Sequence, residues 1–259
     1  METSTVKSTN DWKMHMATGG MAFKKGEYAA AERMFKIALK AAENFGEKDP
    51  KLAHTLNNLA LVCCSQGKHD EAEPLYRRAL AIDEATLGAD DPDLATDLSN
   101  LAAHFHRILR YDEAEQFYQR ALSIVERRFG KEDIETARVM SGLALVYCDK
   151  GQCHEAERMY VKALDIRERK LGSKHPEVAE TLNNLAALYC KNNRCAEAEP
   201  LYERSIGIIG FTLGPDHPEL AAALENYAEL LRKNGRVQEA DAADERAEKI
   251  WTKAGNHGY

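Results

Sequence analysis

The sequence predicts an all-α protein made of antiparallel helix pairs that stack in a tandem array. Three observations support this fold class. A 42-residue period runs through the chain, apolar residues follow helical spacing, and Gly and Pro number only 16 and 7 among 259 residues. The period is visible at Leu-Gly or Phe-Gly dipeptides that end at Gly46, Gly88, Gly130, Gly172 and Gly214. Five full units and a divergent N-terminal unit leave no room for a separate domain.

The first helix of each unit is predicted from apolar residues spaced i, i+3, i+4 and i+7. In one unit these are Leu56, Leu59, Ala60 and Cys63, which share one helical stripe. The stripe recurs as Leu98, Leu101, Ala102 and Phe105, and as Leu182, Leu185, Ala186 and Tyr189. We therefore expect one face of each first helix to be buried.

The second helix carries alanines where helices would approach closely, with a tyrosine between them. These residues are Ala72, Tyr76 and Ala79, and they recur as Ala114, Tyr118, Ala121 and as Ala156, Tyr160, Ala163. We expect the tyrosine to fill the gap toward the next unit. The last unit has Asp244 at the tyrosine position and Glu248 after it, and such a polar face suits a terminal repeat.

The connections contain residues that end and begin helices. Glycine suits a left-handed cap at Gly46, Gly88, Gly172 and Gly214. Proline suits the first helical position, and it follows Asp or His in Asp49-Pro50, Asp91-Pro92, His175-Pro176 and His217-Pro218. We expect residues 1–10 to be a flexible tail, residues 11–253 a single array of about six helix pairs, and residues 254–259 a C-terminal tail.

Two departures from the repeat predict local differences. The third unit has Leu109 where the other turns between paired helices have Gly or Asn, so we expect a different turn geometry there. Gly207 and Gly210 interrupt the second helix of the fifth unit. Each glycine costs about 1 kcal/mol relative to alanine, which predicts a bend or a tight helix contact.

Composition excludes several classes of protein. Lys and Arg number 35 against 42 Asp and Glu, and a net charge of −7 argues against a nucleic-acid partner. No apolar run approaches the roughly 18 residues of a membrane span, and residues 1–10 lack the apolar stretch of a signal peptide. We expect a cytoplasmic protein with no membrane partner.

The cysteines and histidines do not predict a chemical site. Cys148 and Cys153 recur as Cys190 and Cys195, so they follow the repeat rather than a metal-ligand spacing. His104 and His106 point to different sides of a helix. No phosphate loop or nucleophile elbow occurs. We expect no catalytic residue, no metal site and no cofactor, with the thiols acting as small apolar side chains.

These units resemble tetratricopeptide repeats. The resemblance is carried by the small residues Ala60, Ala72 and Ala79 and by the aromatic residue Tyr76. Segments 171–176 and 181–186 are similar to the 42-residue subclass found in kinesin light chains, whereas the usual period of the family is 34. The resemblance implies a right-handed superhelical solenoid whose first helices line a concave groove for an extended peptide.

In the kinesin light chain type, asparagines of the first helices contact the main chain of the bound peptide. The matching positions here are Asn58, Asn100, Asn184 and Asn226. The fourth unit has Gly142 instead, which breaks the series. An amide can donate and accept, so it can pair with a peptide main chain of any sequence. The alternative is that these asparagines join neighbouring units to each other.

Cations share this face of the first helices. The candidates for peptide contact are Arg107, Arg138, Lys191 and Lys233. Nearby positions carry Lys13, Lys24, Asp149 and Glu180, so the sum leans positive. A positive concave patch would favour an acidic peptide or a C-terminal carboxylate. The alternative is an ordinary solvated helix face.

The sequence therefore predicts a non-enzymatic scaffold that binds a short extended peptide of a partner protein in its groove. A second hypothesis is a structural element that self-associates through its terminal helices, especially residues 12–25, or through its convex face. An enzymatic role would require a catalytic domain elsewhere in a longer protein.

Overall fold

The computed structural model describes residues 2–255, and this part of the chain contains twelve α-helices and no strands. The chain divides into two compact units, each of three described helix pairs: the first unit is Met1–Gly130 and the second unit is Lys131–Tyr259. The helices are α1 (Glu2–Lys24), α2 (Tyr28–Glu43), α3 (Pro50–Ser65), α4 (His69–Thr86), α5 (Pro92–Arg107), α6 (Tyr111–Phe129), α7 (Ile134–Asp149), α8 (Cys153–Leu171), α9 (Pro176–Lys191), α10 (Cys195–Thr212), α11 (Pro218–Lys233) and α12 (Val237–Ala254). These bounds confirm the all-α fold of successive helix pairs.

Within each unit, every helix packs against the next one along the chain. The odd-numbered helices are the first helices of the pairs, and they also contact each other, α3 with α5, α7 with α9 and α9 with α11. The alanines predicted for close approach are fully buried at Ala72, Ala114 and Ala156, and so are the alanines at the matching positions, Ala198 and Ala240. Tyr76, Tyr118, Tyr160 and Tyr202 are buried beside them, as predicted.

The first helices begin with the predicted capping residues. The Asp49 carboxylate accepts a hydrogen bond from the Lys51 backbone N–H at 2.8 Å, and His175 Nδ1 accepts one from Glu177 at 3.2 Å. Gly46, Gly172 and Gly214 have φ of 125°, 88° and 100° at the ends of second helices. Gly88 has no positive φ, so the predicted left-handed cap is wrong at this position. Leu87, the residue that follows α4, has an extended backbone, and no left-handed residue is needed.

The turn at Leu109 has the same geometry as the other turns within the pairs, contrary to the prediction. Leu109 has φ of 62°, compared with 74° for Gly67. The Arg110 N–H donates to the Phe105 carbonyl at 2.9 Å, and the same bond recurs from Lys68 to Cys63 at 2.8 Å. The shared hydrogen bond therefore imposes the left-handed conformation on leucine despite its steric cost.

The glycines of α10 do not mark a tight contact. The helix is continuous from Cys195 to Thr212, and a Cβ atom added at Gly207 or Gly210 would meet no atom within 4 Å. The expected close approach is therefore wrong. A real close approach occurs at Gly19 of α1, where an added Cβ would lie 2.7 Å from the Phe35 ring.

The terminal helices differ in part from the expected tails. Residues 2–10 belong to α1, whereas we expected a tail there. Trp12 of α1 packs edge-on against Phe45, and its indole N–H donates to the Thr55 hydroxyl at 2.8 Å. Ala254 ends α12, and residues 256–259 of the expected C-terminal tail lie outside the described residues. In the described chain, no helix combines the length and the apolar character that a membrane crossing requires.

Candidate functional site

Two cavities lie at equivalent positions of the repeat, one in each unit. The first, which we call the α3–α5 cleft, has a volume of about 270 Å³, and the second, the α9–α11 cleft, has a volume of about 360 Å³. Three periods of 42 residues separate their lining pairs Pro50 and Pro176, Asn57 and Asn183, and Asp93 and Glu219. Both clefts open between neighbouring first helices, which is the face that the sequence analysis selected.

The floor of the α3–α5 cleft is a pair of buried carboxyl groups. Asp83 projects from α4 and Asp97 from α5, and both buried side chains line the same cleft. Burial raises the pKa of Asp97, and the hydrogen bond with Asp83 raises it further. Burial also raises the pKa of Asp83. Two buried charges of the same sign repel, so the pair favours holding one proton between its carboxyl groups.

Three buried oxygen atoms in this cleft accept no hydrogen bond when the carboxyl groups are ionised. They are Asn57 Oδ1, Asp83 Oδ1 and Asp97 Oδ2. The Asn57 amide nitrogen is used, since it donates to Asp97 Oδ1. Buried acceptors without donors are costly. A shared proton satisfies one of them, and an ammonium or guanidinium group in the cleft would satisfy more than one.

The α9–α11 cleft has an apolar floor and an acidic rim. Ile209 and Ala223 occupy the positions that Asp83 and Asp97 occupy in the first cleft. Glu177, Glu180 and Glu219 line the entrance. Glu177 and Glu180 are already paired with the buried Arg167, at 3.4 and 3.5 Å, so two of these three carboxylates have a cationic partner within the protein.

Of the four predicted asparagines, two line a cleft, as contact with a peptide requires, and one joins neighbouring repeats. Asn58 and Asn100 both line the α3–α5 cleft, where Asn58 donates to the His54 carbonyl of its own helix at 2.8 Å. Asn226 donates to Asn183 Oδ1 at 3.3 Å, so it joins neighbouring repeats. Asn184 is partly exposed on α9 and does not line the α9–α11 cleft.

Three of the four candidate cations pair within the protein. Arg138 pairs with Glu135 of its own helix. Lys191 donates to the Cys148 carbonyl at 3.1 Å and to Asp149 at 3.2 Å.

Lys233 lies 2.9 Å from Glu229 and 3.6 Å from Cys190 Sγ. Arg107 is exposed on α5. Neither described cleft is lined by any of these four residues, and both clefts are lined by carboxyl groups. The contacts therefore do not support the acidic ligand that we expected.

Sequence reasoning missed Asn57, Asp83 and Asp97. A signal for Asp97 exists in the repeat, because the matching positions hold Thr55, Val139, Thr181 and Ala223, which are all buried. A carboxyl group in a buried position of the repeat is unusual and marks a site. Asp83 gives a weaker signal, since its position holds the apolar Val125 and Ile209 in two repeats but the buried, charged Arg167 in another.

Known proteins share this sequence pattern and fold. The sequence matches the tetratricopeptide repeat family over residues 14–85, 52–127, 135–209 and 177–253. No curated protein matches the sequence of the chain.

Among solved structures, BtubC (BKLC) from P. vanneervenii is similar, with 25% identity and a TM-score of 0.68 over 96% of this chain and 94% of BtubC. A Podosopora anserina protein described as a kinesin light chain with nearly identical TPR-like repeats has 26% identity and a TM-score of 0.66, over 80% of this chain and 97% of that protein.

A third similar structure is the Rap conjugation gene regulator of the plasmid pLS20 in complex with a Phr peptide. It has 14% identity and a TM-score of 0.68 over 98% of this chain and 77% of that protein, a level of identity that shows the fold alone. The family match covers most of the chain, and its repeats coincide with the helix pairs of the structure. This chain therefore belongs to the tetratricopeptide repeat family, whose fold is that of protein-interaction scaffolds.

Proposed function

We propose that this protein is a non-enzymatic scaffold that binds a short extended peptide of a partner protein on the face of its first helices. Two findings support this proposal. The chain belongs to a family of interaction scaffolds, and a structural neighbour was solved in complex with a peptide. Clefts that recur between the first helices of both units offer places for peptide side chains.

The bound peptide carries a basic side chain that enters the α3–α5 cleft. The observation that carries this assignment is the set of buried acceptors formed by Asn57, Asp83 and Asp97. An arginine side chain has five N–H donors in a planar arrangement and no acceptor, so it complements these oxygens. Asn58 and Asn100 line the same cleft and would pair with the main chain of the peptide.

Fluorescence anisotropy with short Gly-Ser peptides, acetylated and amidated at their ends, tests the assignment. One peptide carries a central arginine and the other a central glutamate. We expect the wild-type protein to prefer the arginine peptide, and Asp97→Asn to weaken its binding at least tenfold, or about 1.4 kcal/mol.

The matched control is Glu43→Gln, which removes an exposed carboxylate of α2 outside both clefts. This variant should bind like the wild-type protein, because surface charges contribute little at ordinary salt concentration. Equal affinity for the two peptides, or equal losses in Asp97→Asn and Glu43→Gln, would contradict the basic ligand.

The second candidate function is self-association through α1. Met14 and Met21 are both more than half exposed on this helix, and two exposed methionines favour an apolar contact. Trp12 is already packed inside the first unit, so it does not belong to such a surface. Light scattering across a concentration series tests this function, and a monomer at every concentration would exclude it.

We keep the cytoplasm as the expected location and a protein or peptide as the expected partner. All six cysteines are free in the structure, which agrees with a reducing compartment. The expectations of a single array over residues 11–253 and of a concave groove stay predictions.

A further inference from the structure

A cysteine and two histidines meet inside the first unit, away from the clefts. Cys64 lies in the last turn of α3, His69 begins α4, and His104 lies in the last turn of α5. One ligand atom from each of the three side chains lies within 4.8 Å of the other two. Cys64 Sγ and His104 Nδ1 are 3.1 Å apart.

The cluster is buried and incompletely hydrogen-bonded. Cys64 is 6% exposed and His104 is 2% exposed. His104 Nε2 and His69 Nδ1 are both buried without a hydrogen-bond partner. Unpaired polar atoms are costly in the interior, so a purely structural role leaves this arrangement unexplained.

The repeat shows that His104 is an exception at its position. The matching residues of the other first helices are Val62, Val146, Leu188 and Leu230, and all of them are buried. The positions of Cys64 and His69 also recur, as Cys148 with Cys153 and as Cys190 with Cys195. Those two cysteine pairs face Leu188 and Leu230 at the position of His104. Of these three pairs, Cys64 with His69 has a third possible metal ligand beside it, which is His104.

We propose that Cys64, His69 and His104 form a binding site for a transition metal ion of the zinc class. Thiolate and imidazole are the ligands that Zn²⁺ prefers, in a tetrahedral arrangement whose ligand atoms lie about 3.3–3.8 Å apart. The separations in the cluster bracket this range, from 3.1 Å between Cys64 Sγ and His104 Nδ1 to at most 4.8 Å among the three ligand atoms. A water molecule would take the fourth position.

Binding would displace the proton of the Cys64 thiol to solvent, because the thiolate is the form that binds zinc. His69 is only half-buried, unlike the other two residues of the cluster. This inference differs from the expectation of no metal site, and it does not depend on peptide binding.

A titration of the metal-free protein with zinc, in competition with a chromophoric chelator, tests the proposal. We expect one tightly bound equivalent and at least a tenfold loss of affinity in His104→Leu. This variant should fold, because leucine is the native residue at the matching positions 188 and 230. Cobalt gives a second readout, since its absorption band from a bound thiolate should disappear in Cys64→Ser.

Cys148→Ser is the matched control, because Cys148 holds the position of Cys64 but faces Leu188. It should leave the bound equivalent unchanged. Failure of the wild-type protein to compete with the chelator would overturn the site. Zinc affinity that stays the same in a folded His104→Leu variant would overturn it as well. Peptide binding by the wild-type protein would be unaffected by either result, so the two proposals are tested separately.

Discussion

At the scale of single residues, Asp83 and Asp97 decide what the α3–α5 cleft can bind. They lie on different helices, so no local motif connects them, and their meeting depends on how α4 packs against α5. The sequence predicted that the ligand binds on the face of the first helices. On that face it selected Asn58 and Asn100 and not the two aspartates. Family resemblance pointed to the amides, whereas the carboxyl pair is a property of this chain.

The carboxyl pair should make stability depend on pH. The pKa of Asp97 is raised by burial and by Asp83 to about 8 in the folded protein, from 3.8 as its ordinary value. The folded state therefore binds more protons than the unfolded state between these values. The free energy of unfolding should fall as pH rises through this window, by at most about 1.4 kcal/mol per pH unit.

Asp97→Asn should remove most of this dependence and stabilise the protein at pH values near 8. The new amide can donate to Asp83 and needs no proton to do so. Urea unfolding of both proteins across the pH window measures the effect. Glu43→Gln should retain the wild-type slope, and an equal slope in Asp97→Asn would contradict the raised pKa.

At the scale of elements, helix boundaries were predictable because capping chemistry is local. Proline after Asp or His began four first helices where the sequence placed them. Leu109 and Gly88 show the limit of such reasoning. Backbone hydrogen bonds of the turn impose the left-handed conformation on Leu109. At Gly88 the same conformation is unnecessary, because Leu87 before it is extended.

Gly207→Ala should stabilise α10. Its backbone is helical and an added Cβ would meet no atom within 4 Å, so the substitution only restricts the unfolded chain. We expect a gain of about 0.5–1 kcal/mol in the free energy of unfolding. Gly214→Ala is the control, because a φ of 100° disfavours alanine and should destabilise the protein. A loss of stability in Gly207→Ala would show that the glycine has a packing role.

At the scale of the whole molecule, the same repeating pair of helices forms two clefts with different chemistry. The 42-residue period predicted the helix pairs, since each unit must bury its apolar face on a neighbour. It did not predict the charge of the clefts, because substitutions at a few lining positions leave the period intact. Asp83 and Asp97 give one acidic floor, and Ile209 and Ala223 give one apolar floor.

The pH dependence of arginine-peptide binding tests the central claim most directly. If the guanidinium replaces the proton shared by Asp83 and Asp97, affinity should rise with pH, by up to about tenfold per unit below pH 8, and then level off. The arginine does not titrate in this range, so the slope belongs to the protein. The account predicts this slope in the wild-type protein and its absence in Asp97→Asn. An affinity independent of pH in the wild-type protein would contradict it.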